Sequence, residues 1–206
     1  FHLHQDAKDL EKVKKICEDN NIEFHYVNLQ EEFYKDVILP FADFYLKGLT
    51  PNICSYCNAE FKIEKLLQYA ENFSCNYIAT GHYARKKASL IGIAKDSWKD
   101  QSFMLYRLSE KQREKLLLPL GEMMKDEVKN FVQQCGYEEI ANKRESFGLC
   151  FTNGKHYSEF LLEKYPELKK LENGKVFNKN NQVIGTHKGY PFYTIGQYKG
   201  LNCKGK

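Results

Sequence analysis

The sequence predicts an α/β fold: a parallel, helix-covered sheet over residues 1–154, followed by a small β-rich domain over residues 155–206. Three observations carry this. Helical and strand periodicities alternate through the first half, the order that lays parallel strands across helical connections. After about residue 154 short apolar runs such as Val176-Phe177 and Val183-Ile184 are separated by Asn180-Asn181 and by Gly174, Gly185, Gly189, Gly196 and Gly200, which is turn-rich β structure. In addition, 42% hydrophobic and 28% charged residues among 206 is the balance of a globular chain with a core.

Taken in order, Leu10, Val13 and Cys17 keep helical spacing behind Asp6, a candidate N-cap, and Asn20-Asn21 ends that helix. Ile22, Phe24 and Tyr26 alternate as a strand running to about Leu29. A helix over residues 31–46 contains Pro40, which predicts a kink or break. Residues 58–73 read as a helix, Tyr77-Ile-Ala79 as a buried strand and residues 90–94 as another. Ser109-Glu-Lys-Gln112 is a capping-box pattern, and residues 125–135 form a helix stopped by Gly136. A short helix over residues 157–165 ends before Pro166.

Charge gives 31 Lys plus Arg against 27 Asp plus Glu, so 31 − 27 = +4. That excess tolerates a nucleic-acid partner without requiring one. No stretch reaches the roughly 18 apolar residues of a membrane helix, so no membrane partner is expected. Seven cysteines is an odd number and too sparse for a disulfide-stapled secreted domain. With no signal-like opening segment, the expected setting is the reducing cytoplasm, where thiols serve metal binding, chemistry or packing.

Cys54-Ser-Tyr-Cys57 admits three readings. Zinc needs about four ligands and CxxC supplies two, with no second CxxC in the chain. A redox pair would follow a strand, and here a Thr-Pro-Asn loop precedes it. The third reading is small buried thiols at a helix start. Reactivity is favoured by Cys57 standing just before a predicted helix, whose positive end stabilises thiolate. In Lys143-Arg-Glu-Ser-Phe-Gly-Leu-Cys150, the cations Lys143 and Arg144 could hold a thiolate, and Gly148 permits a tight turn; an ordinary surface loop fits equally. Thr80, Gly81 and His82 follow a strand, at the end where open α/β sheets bind ligands; a hydrogen-bonded structural His is the bland alternative. Lys99 and Gln101 could meet phosphates or bases, or form a solvated turn. The cations and aromatics of residues 185–200 suit either RNA or their own packing. No phosphate-cradling glycine loop occurs in the first 50 residues.

Six blocks in order resemble one family: Thr50-Pro-Asn-x-Cys-x-x-Cys-Asn58, Ala79-Thr-Gly-His-Tyr-Ala-Arg85, Lys99-Asp-Gln-Ser102, Pro119-Leu-Gly-Glu-Met123, Lys143-Arg-Glu-Ser-Phe-Gly-Leu-Cys-Phe151 and Phe192-Tyr-Thr-Ile-Gly-Gln197. They resemble the tRNA-specific 2-thiouridylases, the MnmA/TrmU family. The resemblance implies a Rossmann-like sheet of the adenine nucleotide alpha hydrolase/ATP-pyrophosphatase type, here incomplete, and a small central domain. It implies that ATP, with Mg2+, adenylylates uridine 34 of tRNA and that a cysteine persulfide then delivers sulfur. Cys150 matches the persulfide cysteine and Cys57 its nucleophilic partner, able to form a disulfide with it. Gly81 matches an ATP-binding glycine. His82, Lys99, Asp100 and Gln101 match tRNA-contacting positions, and Asn52, Ile53 and Cys54 a segment meeting the target base. The implied sulfur donor is a cysteine desulfurase or a relay protein.

Two positions depart from the family pattern. Many members carry Asp, a proposed acid/base group, where this chain has Cys54, and Pro where it has Ile53. The family's phosphate loop is expected upstream of Phe1 and its C-terminal barrel beyond Lys206, so the fragment alone is expected to turn over little ATP. Two other classes stay open: a non-catalytic zinc- or RNA-binding module built on Cys54 and Cys57, and an adenylating synthetase that needs no cysteine pair.

Overall fold

The structure, a computed structural model, describes residues 1–3, 10–143, 148–197 and 199–203. The helices are α1 Leu10–Asp19, α2 Gln30–Phe33, α3 Leu39–Leu46, α4 Ile53–Tyr56, α5 Ile63–Asn72, α6 Glu110–Lys115, α7 Lys125–Gln134, α8 Glu138–Ala141 and α9 Tyr157–Lys164. The strands are β1 Ile78–Ala79, β2 Arg85–Lys87, β3 Leu90–Gly92, β4 Leu116–Leu117, β5 Gly174–Phe177, β6 Val183–His187 and β7 Asn202–Cys203. The chain forms two compact units, one of Phe1–Pro51 with Gly148–Lys206 and the other of Asn52–Phe147.

In the first unit, α2 and α3 are joined by a π-helical stretch, Tyr34–Ile38, so residues 30–46 form one continuous helix. Of the kink or break expected at Pro40, the break does not occur. The Leu39 N–H donates to Tyr34 O, five residues back. The register thus widens just before the residue that lacks an N–H and whose ring would crowd the carbonyl four back. Phe33, Val37 and Phe41 are buried along this helix. Phe41 makes edge contacts with Phe151 at 5.2 Å and Tyr45 at 5.1 Å, and Phe151 meets Phe160 of α9 at 5.3 Å. Pairs of this geometry add to plain area burial.

The expected strand over residues 22–29 reduces to a single parallel bridge, His2 to Asn28. A strand needs a partner along its length. Here His2 N donates to Val27 O and Leu29 N to His2 O, while Ile22 and Tyr26 stay exposed. The N-cap expected at Asp6 lies outside the described residues. The turn-rich region forms the antiparallel sheet β5-β6-β7.

The second unit holds the parallel sheet, as one pair: Ile78 opposite Leu116 and Ala79 opposite Leu117. Its core is Ala59, Ile63, Leu67, Ala70, Ile78, Ala84, Leu105, Leu108 and Leu116. The capping box forms as the pattern predicts. Ser109 accepts from Gln112 N, and Gln112 Oε1 accepts from Ser109 N at 2.9 Å. Gln112 Nε2 then donates to Ala59 O at 2.7 Å, satisfying a carbonyl in the π-helical stretch Cys57–Lys62. The hairpin β2-β3 was not legible because its turn, Ala88-Ser89, lacks the usual Asn-Gly or Asp-Gly signature.

Candidate functional site

Asn52 is the N-cap of α4; its side chain accepts from Ser55 N at 3.3 Å, and its carbonyl accepts from Ser55 Oγ at 2.9 Å. α4 continues through the π-helical stretch Cys57–Lys62 into α5, so the helix starts five residues earlier than its periodicity indicates. This corrects the placement of Cys57. Cys54 stands second in the helix, beside the orphan N–H groups of its first turn, and Cys57 lies a turn further in. Cys57 is 6% exposed, Ile53 is 3% exposed, and Cys54 is half-buried. Of the segment 52–54, Asn52 and Cys54 reach solvent and Ile53 faces the core.

Thr80, Gly81 and His82 follow the carboxyl end of β1, and Thr80 N extends the parallel pairing to Leu117 O at 3.2 Å. Among the described residues nothing demands glycine at 81. An added Cβ would meet Leu120 Cδ1 at 3.8 Å, ordinary contact. Gly121, by contrast, approaches Ala84 so closely that a Cβ would lie 2.1 Å from Ala84 O. His82 shares a 2.9 Å hydrogen bond between Nδ1 and Thr80 Oγ1. Burial, assisted by the Lys62 ammonium, pushes its pKa down to about 4. At neutral pH His82 is uncharged and can hydrogen-bond or stack, but cannot neutralise a phosphate.

The segment 94–102 braces this strand end. Gln101 N donates to Tyr83 O at 2.7 Å, and Tyr83 N donates to Gln101 Oε1 at 2.9 Å. Asp100 accepts from Ala94 N at 2.8 Å and from Ser102 Oγ at 2.7 Å. The side-chain oxygens of Asp100 and Gln101 therefore hold the loop next to His82, a positioning role the sequence alone did not reveal.

Cys150 lies in the other unit and is exposed. Its neighbours fix it: Phe151 enters the aromatic cluster with Phe33, Phe41 and Phe160, and the buried Thr152 donates to Leu149 O through both N and Oγ1. Gly148 takes φ +89°, a conformation that favours glycine. Arg144, expected to hold a thiolate, lies outside the described residues. All seven cysteines are described and none is in a disulfide. Among the described residues no group of three or more His, Cys, Asp or Glu is placed to hold a metal ion.

The family profile described as "tRNA methyl transferase HUP domain" matches residues 4–154, and "tRNA methyl transferase PRC-barrel domain" matches residues 158–206. With the parallel pair and the antiparallel sheet, these define a Rossmann-like HUP domain followed by a small PRC-barrel domain. The chain belongs to the family of the tRNA-specific 2-thiouridylases. It is 37% identical to the tRNA-specific 2-thiouridylase MnmA of Campylobacter jejuni strain RM1221, over 96% of this chain and 58% of that protein. It is 36% identical to MnmA 2 of Clostridium botulinum strain Langeland, over 93% of this chain and 54% of that protein. For MnmA 2 of Fusobacterium nucleatum the values are 36%, 97% and 59%. The chain thus spans a little over half the length of these curated relatives.

Proposed function

We propose that this chain carries the sulfur-transfer core of a tRNA 2-thiouridylase working in the cytoplasm, with residues 1–154 as its catalytic domain and 155–206 as its central domain. In this reading, O2 of uridine 34 attacks the α-phosphate of ATP, with Mg2+, and releases pyrophosphate. The terminal sulfur of a Cys150 persulfide adds to C2 and expels AMP. The Cys57 thiolate then attacks Cys150 Sγ, leaving sulfur on the uridine and forming a Cys57–Cys150 disulfide. A thiol reductant resets the pair, and a cysteine desulfurase or relay protein reloads Cys150. Gly81 lets ATP approach the end of β1 closely, Asn52 and Cys54 face the target base, and His82 and Lys99 face the tRNA.

The observation that carries this reading is Cys150: an exposed thiol on a turn flanked by the buried Thr152 and by Phe151, which packs on Phe41. A persulfide carrier must be reachable by its donor and must not wander. No observation favours the zinc module. The test is Cys150→Ser in the whole protein, scored by tRNA binding and by 2-thiouridine in digested tRNA. Binding should persist and thiolation should vanish; thiolated tRNA from the variant would overturn the assignment.

A further inference from the structure

Trp98 is the only tryptophan in the chain, and it is 94% exposed. An indole left in water forfeits the burial that tryptophan normally gains. Yet the loop presenting it is fixed on every side. Asp96, 5% exposed, accepts from Trp98 N at 3.2 Å and from Lys125 N, at the start of α7, at 3.0 Å. Lys99 N donates to Asp96 O at 3.1 Å, and Lys95 N to Gly121 O at 2.8 Å. Asp100 and Gln101 secure the far side of the loop through Ala94, Ser102 and Tyr83. Both acids of the loop thus spend their carboxylates internally. What the loop offers outward is the indole, with Ser97 beside it, while the Lys95 ammonium is held by Glu127 at 3.0 Å.

We propose that Trp98 is a stacking surface for an unpaired base of the RNA substrate. This rests on the tRNA reading above and adds to it a residue and a mode of contact. Every base has a π-face, so an indole binds unpaired nucleotides with little sequence demand. Prior fixation of the loop removes the ordering cost that a mobile aromatic would bring to binding. A protein-docking surface fits less well, because it favours a contiguous apolar core and the loop neighbours here are Ser and Lys.

Trp98 is the sole indole of residues 1–206, so the difference in emission between the whole protein and its Trp98→Ala variant reports this site. The probe is an unmodified tRNA transcript titrated into the protein. Saturable quenching is expected, with Trp98→Ala weakening binding by between about 5-fold and about 150-fold. Trp98→Tyr should restore most of the affinity, and neither variant should alter the circular dichroism melt. If Trp98→Ala binds tRNA as tightly as the unsubstituted protein, the stacking proposal fails and the thiouridylase reading stands. If the unsubstituted protein binds no tRNA, both fail. If a cysteine desulfurase shifts the emission and tRNA does not, the indole belongs to a protein interface and the proposal is overturned.

Discussion

Acidification should destabilise this protein through His82 by an amount the structure sets. Burial and the Lys62 ammonium lower its pKa from 6.5 to about 4. Between those values the unfolded chain carries a proton there and the folded chain does not, so protons pull towards unfolding. The stabilisation is fully present above pH 6.5, is lost progressively as pH falls towards 4, and changes no further below that. About 2.5 pH units at about 1.4 kcal/mol each gives about 3.5 kcal/mol for the full shift. Urea denaturation at pH 7.5, 5.5 and 4.5 measures it, with His82→Gln as the reference that keeps a hydrogen-bonding partner for Thr80 but does not titrate. Other groups act on both proteins, so the difference between them isolates the histidine. Between pH 7.5 and 4.5 the unsubstituted protein should lose about 2.5 kcal/mol more than His82→Gln. Parallel losses, or an NMR titration of His82 with a midpoint near 6.5, would refute the reasoning.

Three further outcomes follow from the same geometry. Gly121→Ala places a Cβ 2.1 Å from Ala84 O and 2.7 Å from Ala84 C, both backbone atoms; it should cost roughly 3 kcal/mol in a urea melt, and a loss under about 0.5 kcal/mol would contradict the close approach. Gly81→Ala meets only ordinary contact; stability should change by less than about 0.5 kcal/mol, while calorimetry should show weakened ATP binding if the nucleotide backs onto this glycine, and undiminished affinity would remove it from the ATP site. Under native conditions iodoacetamide should alkylate exposed Cys150 well before Cys57, which is 6% exposed; peptide mass spectrometry showing the reverse order would contradict the burial assignment.

Much of the local structure was legible because local chemistry decides it. Ser109 and Gln112 form the capping box their spacing predicts, and Gly136, at φ +86°, stops α7 where the periodicity ends. What escaped was decided elsewhere. The start of the helix at Ile53 depends on Asn52 acting as N-cap, a signal present in the sequence but set behind Thr50-Pro51 and ahead of a CxxC that invites a loop reading. The residue 22–29 segment alternates like a strand, yet strand structure is conferred by partners, and among the described residues only His2 pairs with it. The Gln101 side-chain oxygen accepts from Tyr83 N, a contact across 18 positions that no local pattern announces.

The two cysteines that the family resemblance pairs differ in a way that supports the roles proposed for them. A carrier that receives sulfur from another protein must be exposed, and Cys150 is exposed beside the buried Thr152 and the half-buried Phe151. A thiol that acts only after sulfur has reached the base gains from shelter, since an exposed thiolate meets oxidants and adventitious disulfides first. Cys57 has that shelter, one turn inside a helix whose first turn carries the half-buried Cys54. Exchanging the roles would ask a protein donor to reach a thiol only 6% exposed, and would leave the accessible cysteine with no acceptor to serve.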